Sequence, residues 1–549
     1  MRSNFMYPFS YFLKLEIEKQ DHVQSSDHVS PPQRPTYRIN CVRSYASFPT
    51  ETNSRPQQIT IREATDLQAF LKPYSYTANL SINQLLMKSK KVVLYPSMGA
   101  GHLVPMVELA KQFVRRGISV SIPVMTVGPA SDLVSEICNS NPNISFHILP
   151  QVPPTNPHQA PIVNLFNMLK LNNDSLRSFL VEQSDTSPIC GVVLDMFCVD
   201  ALDVTYELGI PAYFFFTCGA ASLAVFMQLP TYLATRSIGA LKDIGKTPLL
   251  LPGVPPLPAS HLPKDTSDPE TEQYKLVMHL FDRLPEAKGI LINSFELLEP
   301  RAVMALKDGL CLPNRSTPSI YCIGPLVARR AKKEEQHPCL SWLDAQPKES
   351  VVFLCFGSMG SFPVEQLKEI AIGLENSGQR FLWVVRSPSK PDLAKIFKPT
   401  TEPDLDILLP EGFLDRTRDR GMIVKHWAPQ VEVLKHEAVG GFVSHCGWNS
   451  TLEAVSFGVP MICWPLYAEQ KMNKVFLVEE MKVGIELKGY DEGLVQADEL
   501  EAKLKWIIES EGAVELRNRM MEMKESAIEA MKEGGSSFGA FVEFLECLN

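Results

Sequence analysis

From Lys91 onward, short apolar segments alternate with longer segments of helical periodicity, and this alternation constrains the fold more than any other feature. The segment "KVVLYPS" is typical of a buried strand, "HLVPMVELAKQFVRRG" of the helix that follows it, and "ISVSIPVMT" of the next strand. Strands that are apolar on both faces and separated by helices form parallel sheets covered by helices on both sides. We therefore predict an α/β protein with doubly wound sheets.

The alternation occurs in two series separated by a run of mixed charge. The first continues through "ICGVVLDMF" and "GIPAYFFFT", and the second contains "SVVFLCFGS", "QRFLWVVRS", "GMIVKHWAP", "GGFVSHCG" and "VPMICWP". Two such units place a ligand cleft between them, at the carboxyl ends of their strands. We predict a first domain over residues 90–328, a linker over 329–340, a second domain over 341–525, and a C-terminal helix over 526–549 that packs back on the first domain.

Residues 1–89 differ from the rest in composition. They are polar and rich in Ser, Pro and Gln, without sustained periodicity, and we predict that they are mostly disordered. Their opening, "MRSNFMYPFSYFLKLEIEK", shows no clear small-residue cleavage site after its aromatic run, which argues against a secretory signal. Acidic residues in this region also argue against an organelle transit peptide.

Overall composition excludes several classes of partner. A net charge of -9 over 549 residues gives no long-range attraction to nucleic acid or anionic membranes. Twelve cysteines without a repeating spacing, several of them inside apolar runs, favour free thiols in a reducing compartment, so we predict a cytoplasmic protein. Residues 208–235 are uncharged and long enough to span a membrane. However, Pro211 and a small polar interruption divide them into a strand, a turn and a helix, so we predict no membrane insertion.

The segment "VSHCGWNSTLE" joins an apolar strand to an apolar helix. The exposed amide groups at the start of that helix, near Asn449 and Ser450, favour an anion. A metal site is disfavoured because no second Cys or His lies at ligand spacing. A nucleophile pair formed by His445 and Cys446 is disfavoured because adjacent residues that leave a strand point apart. Two interpretations therefore stay open for this segment alone, a phosphate site and an ordinary turn with a capping serine.

A longer segment carries more information. The 44 residues from Trp427 to Gln470, "WAPQVEVLKHEAVGGFVSHCGWNSTLEAVSFGVPMICWPLYAEQ", resemble nearly position by position the donor signature of the plant UDP-dependent glycosyltransferases, the PSPG box. The resemblance covers about residues 91–549, whereas residues 1–89 have no counterpart in the family. It implies a GT-B fold, in which two Rossmann-like domains face each other across a cleft and the second binds most of a sugar nucleotide.

The resemblance assigns donor-binding roles by motif position. For the nucleoside, Trp427 would stack on uracil, Ala428 and Gln430 would hold the base and ribose, and Glu453 would accept hydrogen bonds from both ribose hydroxyls. An aromatic face suits a base, and a carboxylate suits a diol.

For the diphosphate, the resemblance assigns His445, Asn449 and Ser450, aided by Ser358 in the glycine-rich strand exit "FGSMGS". Neutral donors at a helix start suit phosphate.

The sugar end of the donor site is assigned in the same way. Glu469 and Gln470 would bind the sugar hydroxyls, Thr217 would touch the donor sugar, and Ala468 would border the acceptor. Gln470 resembles the residue of glucose users, where galactose users tend to have His. Trp448 resembles that of transferases that do not use glucuronate, where glucuronate users often have Arg. The resemblance therefore implies UDP-glucose as the donor.

The first domain supplies a candidate base. His102 follows a strand and a glycine-containing loop, where a helix begins, and a helix start opposes protonation and keeps the imidazole neutral. Taken alone, a histidine at a helix start is more often a solvated cap, but the family's catalytic histidine occupies this position. Asp195 ends an apolar strand and matches the family's partner carboxylate, which would orient the base. Asp200 and Asp203 are interpreted as solvated or structural.

Two motifs suggest other chemistry. Asp404 and Asp406 spell the DxD motif of metal-dependent transferases, but they lie in a polar loop without a preceding strand, so we predict no metal site. Gly99 and Gly101 suggest a dinucleotide fingerprint whose third glycine position holds Val104, which argues against a nicotinamide cofactor. We predict that no cofactor or metal is required and that UDP-glucose is a co-substrate.

These observations lead to one prediction and its alternatives. The predicted protein is a monomeric, inverting glycosyltransferase that moves glucose from UDP-glucose to a hydroxyl of a flavonoid or other phenolic small molecule, with His102 as base and acceptor contact. The donor alternatives are UDP-galactose, UDP-xylose and UDP-glucuronate, and the acceptor alternative is a non-phenolic compound. A sugar-nucleotide binding protein without turnover and an oxidoreductase on Rossmann domains are the alternatives of other classes.

Overall fold

The computed structural model describes residues 90–126, 132–152, 156, 159–235, 240–328, 337–388 and 402–548, and the backbone of three strands nearer the N-terminus. The chain divides into two compact units, Met1–Met87 and Lys88–Asn549.

In the first unit, β1 (Phe12–Gln20), β2 (Thr36–Ser44) and β3 (Gln57–Ile61) form an antiparallel sheet in that order. These strands were not predicted from the sequence, although β1, "FLKLEIEKQ", alternates apolar and polar residues with the period of two that is typical of strands. Apart from these strands, the predicted disorder of residues 1–89 lies outside the described residues.

The second unit begins with a seven-stranded, fully parallel sheet in the order β12-β11-β8-β7-β4-β5-β6. In chain order, its strands and a short antiparallel pair are β4 (Lys91–Tyr95), β5 (Ser119–Val124), β6 (Ser145–Ile148), β7 (Ile189–Asp195), β8 (Ala212–Phe216), β9 (Pro248–Leu249), β10 (Leu257–Pro258), β11 (Gly289–Ile292) and β12 (Ser319–Cys322). The helices are α1 (Ala100–Arg115), α2 (Asp132–Ser140), α3 (Pro161–Leu171), α4 (Asn173–Thr186), α5 (Ala201–Glu207), α6 (Ala220–Thr235), α7 (Leu241–Ile244), α8 (Glu272–Arg283) and α9 (Pro300–Lys307), with 3-10 turns at Ala259–His261, Lys264–Thr266 and Leu284–Glu286.

A second parallel sheet follows, with six strands in the order β15-β14-β13-β16-β17-β18. Its strands are β13 (Val351–Cys355), β14 (Arg380–Val385), β15 (Gly421–Lys425), β16 (Val439–Ser444), β17 (Met461–Cys463) and β18 (Gly484–Glu486). The helices are α10 (Pro338–Asp344), α11 (Val364–Ser377), α12 (Leu405–Leu408), α13 (Phe413–Thr417), α14 (Gln430–Lys435), α15 (Trp448–Phe457), α16 (Gln470–Val475), α17 (Ala497–Glu509), α18 (Glu511–Met531) and α19 (Ser536–Glu546), with a π-helical turn at Phe476–Glu480. The predicted α/β class with two doubly wound sheets is confirmed.

The central strands of both sheets are buried on both faces, as their continuous apolar sequences predict. Strand β8 is buried at each of its residues, and so is β13. Burying one large apolar side chain contributes roughly 1.5–3 kcal/mol to the free energy of folding. Apolar residues on both faces of these strands therefore stabilise the sheets. Polar groups are thereby left to the strand ends and the loops.

In each sheet, successive strands are added first on one side and then on the other, so that the strand order changes direction at one point. The predicted site residues lie next to these two points. In the first sheet the reversal lies between β4 and β7, and in the second it lies between β13 and β16. Loops leaving neighbouring strands at such a point diverge to opposite faces, which opens a crevice at the carboxyl ends of the strands. The predicted base and its partner follow β4 and end β7, and the predicted diphosphate residues Ser358 and His445 follow β13 and β16.

The uncharged residues 208–235 form strand β8 and helix α6, separated by a turn, as the sequence predicts. Throughout the described residues, no helix has the length and apolar character needed to cross a membrane.

The C-terminal region consists of two helices rather than the single one predicted over residues 526–549. Helix α18 ends at Met531, and Gly534, at φ 85°, occurs before α19 begins. Helix α19 packs on the first sheet's half of the unit, where the Phe541 ring lies edge-on to Phe113 at 5.0 Å. The Tyr213 hydroxyl donates to the carbonyl of Cys547 at 3.1 Å.

Candidate active site

The predicted base and its carboxylate are in direct contact. Helix α1 begins at Ala100 after Gly99, whose φ of 100° suits glycine, and His102 therefore lies in the first helical turn. Its Nδ1 lies 2.8 Å from Oδ2 of Asp195, which is fully buried at the end of β7. The other carboxylate oxygen accepts the backbone N–H of Phe197 at 3.0 Å, so the carboxylate is held at both oxygens.

Burial opposes protonation of His102, but the Asp195 carboxylate outweighs it through its charge and hydrogen bond, and the pKa of His102 rises above 6.5. Glu469 adds a smaller effect in the same direction. The net direction is therefore set by the contact with Asp195, the partner that the sequence predicts for this base. A charged partner in contact has a larger effect than the partial charge of a helix terminus.

The base lies beside an aromatic wall. The Phe197 ring centroid is 4.9 Å from that of the imidazole, and Phe166 lies edge-on to Phe197 at 5.9 Å. Thr217 is buried, with Oγ1 3.5 Å from His102 Nδ1. The predicted Thr217 position is thus next to the base, and the rings form an apolar surface suited to a flat organic molecule.

The strand exits of the second sheet form a compact turn around His445. A Cβ built on Gly447 would lie 2.4 Å from Nε2 of His445, and one on Gly357 would lie 2.6 Å away, so only glycine fits at either position. His445 is 6% exposed, and its Nδ1 has no hydrogen-bond partner in the described parts of the chain. Burial, with a smaller effect from the charge of Arg386, lowers the pKa of His445 to about 4. His445 is therefore a neutral imidazole with one buried nitrogen lacking a partner.

Asn449 connects the two halves of the site. Its Nδ2 donates to the carbonyl of Gly101 at 3.0 Å, adjacent to His102 in the first helical turn of α1. The start of α15 therefore faces the start of α1 directly, although 348 positions separate the two bonded residues. Two helix N-termini converge on one place, which favours a negatively charged group there.

The predicted nucleoside residues form a hydrogen-bonded group beside α15. Gln430 Nε2 donates to Glu453 at 2.6 Å and to the hydroxyl of Ser450 at 2.9 Å. Burial raises the pKa of Glu453 to about 7, although Gln430 acts in the opposite direction. Trp427 is 46% exposed, a large fraction for an indole, whereas Ala428 is buried.

The predicted sugar residues occupy the loop before α16. Ala468 has a φ of 54°, and Glu469 follows it. Burial raises the pKa of Glu469, which accepts from the Cys218 thiol at 3.6 Å and so contacts the first half of the unit. Gln470 accepts the backbone N–H groups of residues 466 and 467, each at 2.9 Å, and its side-chain oxygen thereby holds this loop.

Trp448 does not point into this site. The residue is 3% exposed, and its indole Nε1 donates to the carbonyl of Asn293 at 2.7 Å. A Cβ on Gly219 would lie 2.7 Å from the indole ring. Trp448 was predicted to be one of the sugar-binding residues, but its side chain packs between the two halves of the unit. Its place at the first position of α15 directs the ring toward the first half.

Asp200 and Asp203, which were interpreted from the sequence as solvated or structural, both have partners of opposite charge or a histidine. Asp200 pairs with His279 at 2.8 Å, and both Asp203 oxygens accept from Arg283. In the DxD segment, Asp404 caps the short helix α12 by accepting the backbone N–H of Asp406 at 3.1 Å.

One charged residue of the site, Arg386, was not predicted from the sequence. Arg386 follows β14 directly, and its guanidinium donates to the carbonyl of Ser358. A signal was present, because a charged residue immediately after a buried strand marks the carboxyl edge of a parallel sheet. The same signal identified Asp195.

The sequence of this chain is similar to those of known proteins. Residues 307–523 match the family described as "UDP-glucoronosyl and UDP-glucosyl transferase". An anthocyanidin 5,3-O-glucosyltransferase from a Rosa hybrid cultivar is 44% identical over 472 residues, which cover 83% of this chain and 98% of the relative. A phloretin 2'-O-glucosyltransferase from Pyrus communis is 45% identical over 480 residues, covering 83% of this chain and 99% of the relative.

The fold is also similar to that of solved structures. The structure of Phytolacca americana UGT2 complexed with UDP-2fluoro-glucose and pterostilbene has a TM-score of 0.76 and 36% sequence identity to this chain. The match covers 84% of this chain and 99% of that protein. The expected GT-B fold is confirmed.

Proposed function

The chain belongs to the plant UDP-glycosyltransferase family, and on this premise we propose that it transfers glucose from UDP-glucose to a hydroxyl of a flavonoid or other phenolic small molecule. The observation that carries the proposal is the His102–Asp195 pair, joined through the Asn449–Gly101 hydrogen bond to the start of α15. The names of the rose and pear relatives support the acceptor class, and the Phytolacca complex with a UDP-glucose analogue supports the donor.

In the proposed reaction His102 acts as a general base. Asp195 holds Nδ1, which leaves Nε2 to accept the proton of the acceptor hydroxyl. The acceptor oxygen forms a bond to the anomeric carbon from the face opposite UDP, while the bond from that carbon to the phosphate oxygen breaks. The product is a β-glycoside from an α-linked donor, and the proton rests on an imidazolium that Asp195 stabilises.

The start of α15 supports binding of the departing diphosphate. Its backbone N–H groups, with Asn449 and Ser450, supply neutral donors at the positive end of a helix dipole. His445 supplies an imidazole whose lowered pKa keeps it neutral, so it can donate one hydrogen bond to phosphate without carrying charge. We assign Ser358 to the same group because its loop packs on His445.

For the nucleoside we propose stacking of uracil on Trp427 and pairing of the ribose diol with Glu453. For the sugar we propose hydroxyl contacts with Glu469 and Gln470, with Thr217 beside the donor. Ala468 would border the acceptor. For Trp448 we propose a positioning role through the Asn293 carbonyl, in place of a contact from its indole.

The ribose role of Glu453 predicts pH-dependent binding of uridine, a ligand without phosphate groups to titrate. The pKa of Glu453 is about 7 in the free protein, and only the carboxylate accepts from both ribose hydroxyls. Uridine affinity should therefore fall about three- to tenfold as the pH decreases from about 7 to about 6, and level off above about 8. Isothermal titration at several pH values measures this.

The matched variant is Glu453→Gln, which cannot ionise. It should bind uridine more weakly than the unsubstituted protein above about pH 7 and show no pH dependence over that range. An equal pH dependence in both proteins would exclude Glu453 as the titrating group.

The proposed activity is tested by incubating the protein with each UDP-sugar and a panel of phenols. We expect UDP release and a glycoside product with UDP-glucose, and slower release with UDP-galactose, UDP-xylose or UDP-glucuronate. Binding of UDP-glucose without UDP release for any acceptor would support a binding protein without turnover. Oxidation of NADPH without UDP release would support an oxidoreductase.

Two further properties belong to this proposal. We propose a cytoplasmic location, because the cysteines of the described residues are free thiols, as a reducing compartment maintains them. We propose that the enzyme acts as a monomer, because both halves of the site come from one chain.

A further inference from the structure

Arg386 lies at the carboxyl end of strand β14, next to the loop that carries Ser358. Strand β14 ends at Val385, beside β13, and the Arg386 guanidinium reaches the loop that leaves β13, where it donates to the Ser358 carbonyl. The adjacent Gly357 packs against His445 Nε2. Arg386 thus contacts the loop after β13, which carries Ser358, and its charge acts on His445 in the loop after β16.

The charge of Arg386 is not balanced by an acidic side chain. Within the described parts of the chain, no Asp or Glu forms an ion pair with it, and burial lowers its pKa. Arg386 interacts electrostatically with Cys355, Tyr467 and His445. Burial raises the pKa of Cys355 to about 11 and that of Tyr467 to about 12, so both are uncharged near neutral pH.

A half-buried cation among neutral groups is costly unless an anion joins it. Guanidinium carries five N–H donors in a planar fork that matches phosphate oxygens, and the Ser358 carbonyl does not use all five. The buried Nδ1 of His445, the residue on which the charge of Arg386 acts, also lacks a partner in the described structure. Both features indicate that a phosphate group fits between the two loops.

We propose that Arg386 binds the diphosphate of the UDP-sugar and supplies the one full positive charge among the groups assigned to the leaving group. This assignment rests on the proposed function. The helix start and His445 contribute only partial charges, whereas the diphosphate carries formal charge that grows as the bond to the sugar breaks. Arg386 therefore both binds the donor and stabilises UDP as it leaves.

The test compares Arg386→Gln with a matched control, Arg380→Gln. Arg380 lies at the opposite end of the same strand, where its Nε donates to Gln346 at 3.2 Å. Isothermal titration with UDP and with uridine separates phosphate binding from nucleoside binding. Arg386→Gln should weaken UDP binding roughly ten- to hundredfold and uridine binding less than about twofold. Arg380→Gln should change neither.

Two further measurements separate a binding role from a structural one. Arg386→Lys keeps the charge and should retain an intermediate affinity for UDP. The ligand-free thermal midpoint of Arg386→Gln should equal or exceed that of the unsubstituted protein, because a half-buried charge without an acidic partner in the described structure is removed. A lowered ligand-free midpoint, or equal loss of UDP and uridine binding, would assign Arg386 a structural role and overturn the proposal.

Failure of the Arg386 proposal can be distinguished from failure of the proposed function. If the unsubstituted protein binds UDP but forms no glycoside, the proposed function fails while the UDP titrations still test Arg386. If it forms glycoside and Arg386→Gln has the same UDP affinity and kcat as Arg380→Gln, the proposal for Arg386 fails and the proposed function stands.

Discussion

Replacing His102 with alanine is expected to lower kcat for glucosyl transfer about 10²- to 10⁴-fold, because general base catalysis by a positioned side chain contributes that much. Uridine and diphosphate binding should change little, since His102 belongs to α1 and the assigned UDP groups belong to the second sheet. UDP release at saturating UDP-glucose and phenol gives kcat, and titration with UDP gives the affinity.

The matched control for this substitution is His279→Ala. His279 also contacts an aspartate, Asp200, at 2.8 Å, but both side chains lie at the surface. Removing it should leave kcat within about twofold, because exposed ion pairs contribute little. Equal turnover by the His102→Ala protein and the unsubstituted protein would exclude His102 as the base.

Replacing Asp195 with asparagine is expected to lower kcat by a comparable factor, on the order of 10²- to 10⁴-fold. The amide cannot stabilise the imidazolium that forms when His102 accepts the proton. It also removes the charge that raises the pKa of His102 against the effect of burial. The variant therefore loses both the strength of the base and the preference for the tautomer that leaves Nε2 free.

The pH profile distinguishes this mechanism from a general loss of structure. In the unsubstituted protein kcat/KM should rise with pH as His102 deprotonates, with a midpoint above 6.5 because its pKa is raised. In Asp195→Asn this rise should move to lower pH, since burial then acts without the opposing carboxylate. An unchanged midpoint would show that the observed ionisation belongs to another group. The surface variant Asp200→Asn should keep the original profile.

Much of the fold is predictable from local patterns. Strands β4, β7, β13 and β16 coincide with apolar runs, and each helix that follows has a clear amphipathic or apolar sequence. The three strands of residues 1–89 were missed because the polar, Ser- and Pro-rich composition of that region outweighed the alternation in β1. The division of the C-terminal helix was missed because Gly534 and Gly535 are only two residues within a strongly helical pattern.

Only some residues of the site were predicted correctly from the sequence. Motif position identified His102 and Asp195, and the structure places them in contact. Trp448 was misplaced because the motif records which residue occurs and not which way the first side chain of a helix points. Arg386 was missed because the signature begins at Trp427, and a lone arginine after a strand has no identifiable partner in the linear sequence.

The sequence by itself determined the fold class, the family and the candidate base, since these depend on periodicity and on the order of residue types along the chain. Only the tertiary structure decided which groups act on one another. Strand order brings Gly101 and Asn449, 348 positions apart, to one hydrogen bond, and it places Arg386 against the loop of Ser358. The charge and hydrogen bond of Asp195 outweigh burial and raise the pKa of His102, whereas burial, with a smaller effect from the charge of Arg386, lowers the pKa of His445. Distances and dielectric surroundings are properties of the folded chain, and no local pattern contains them.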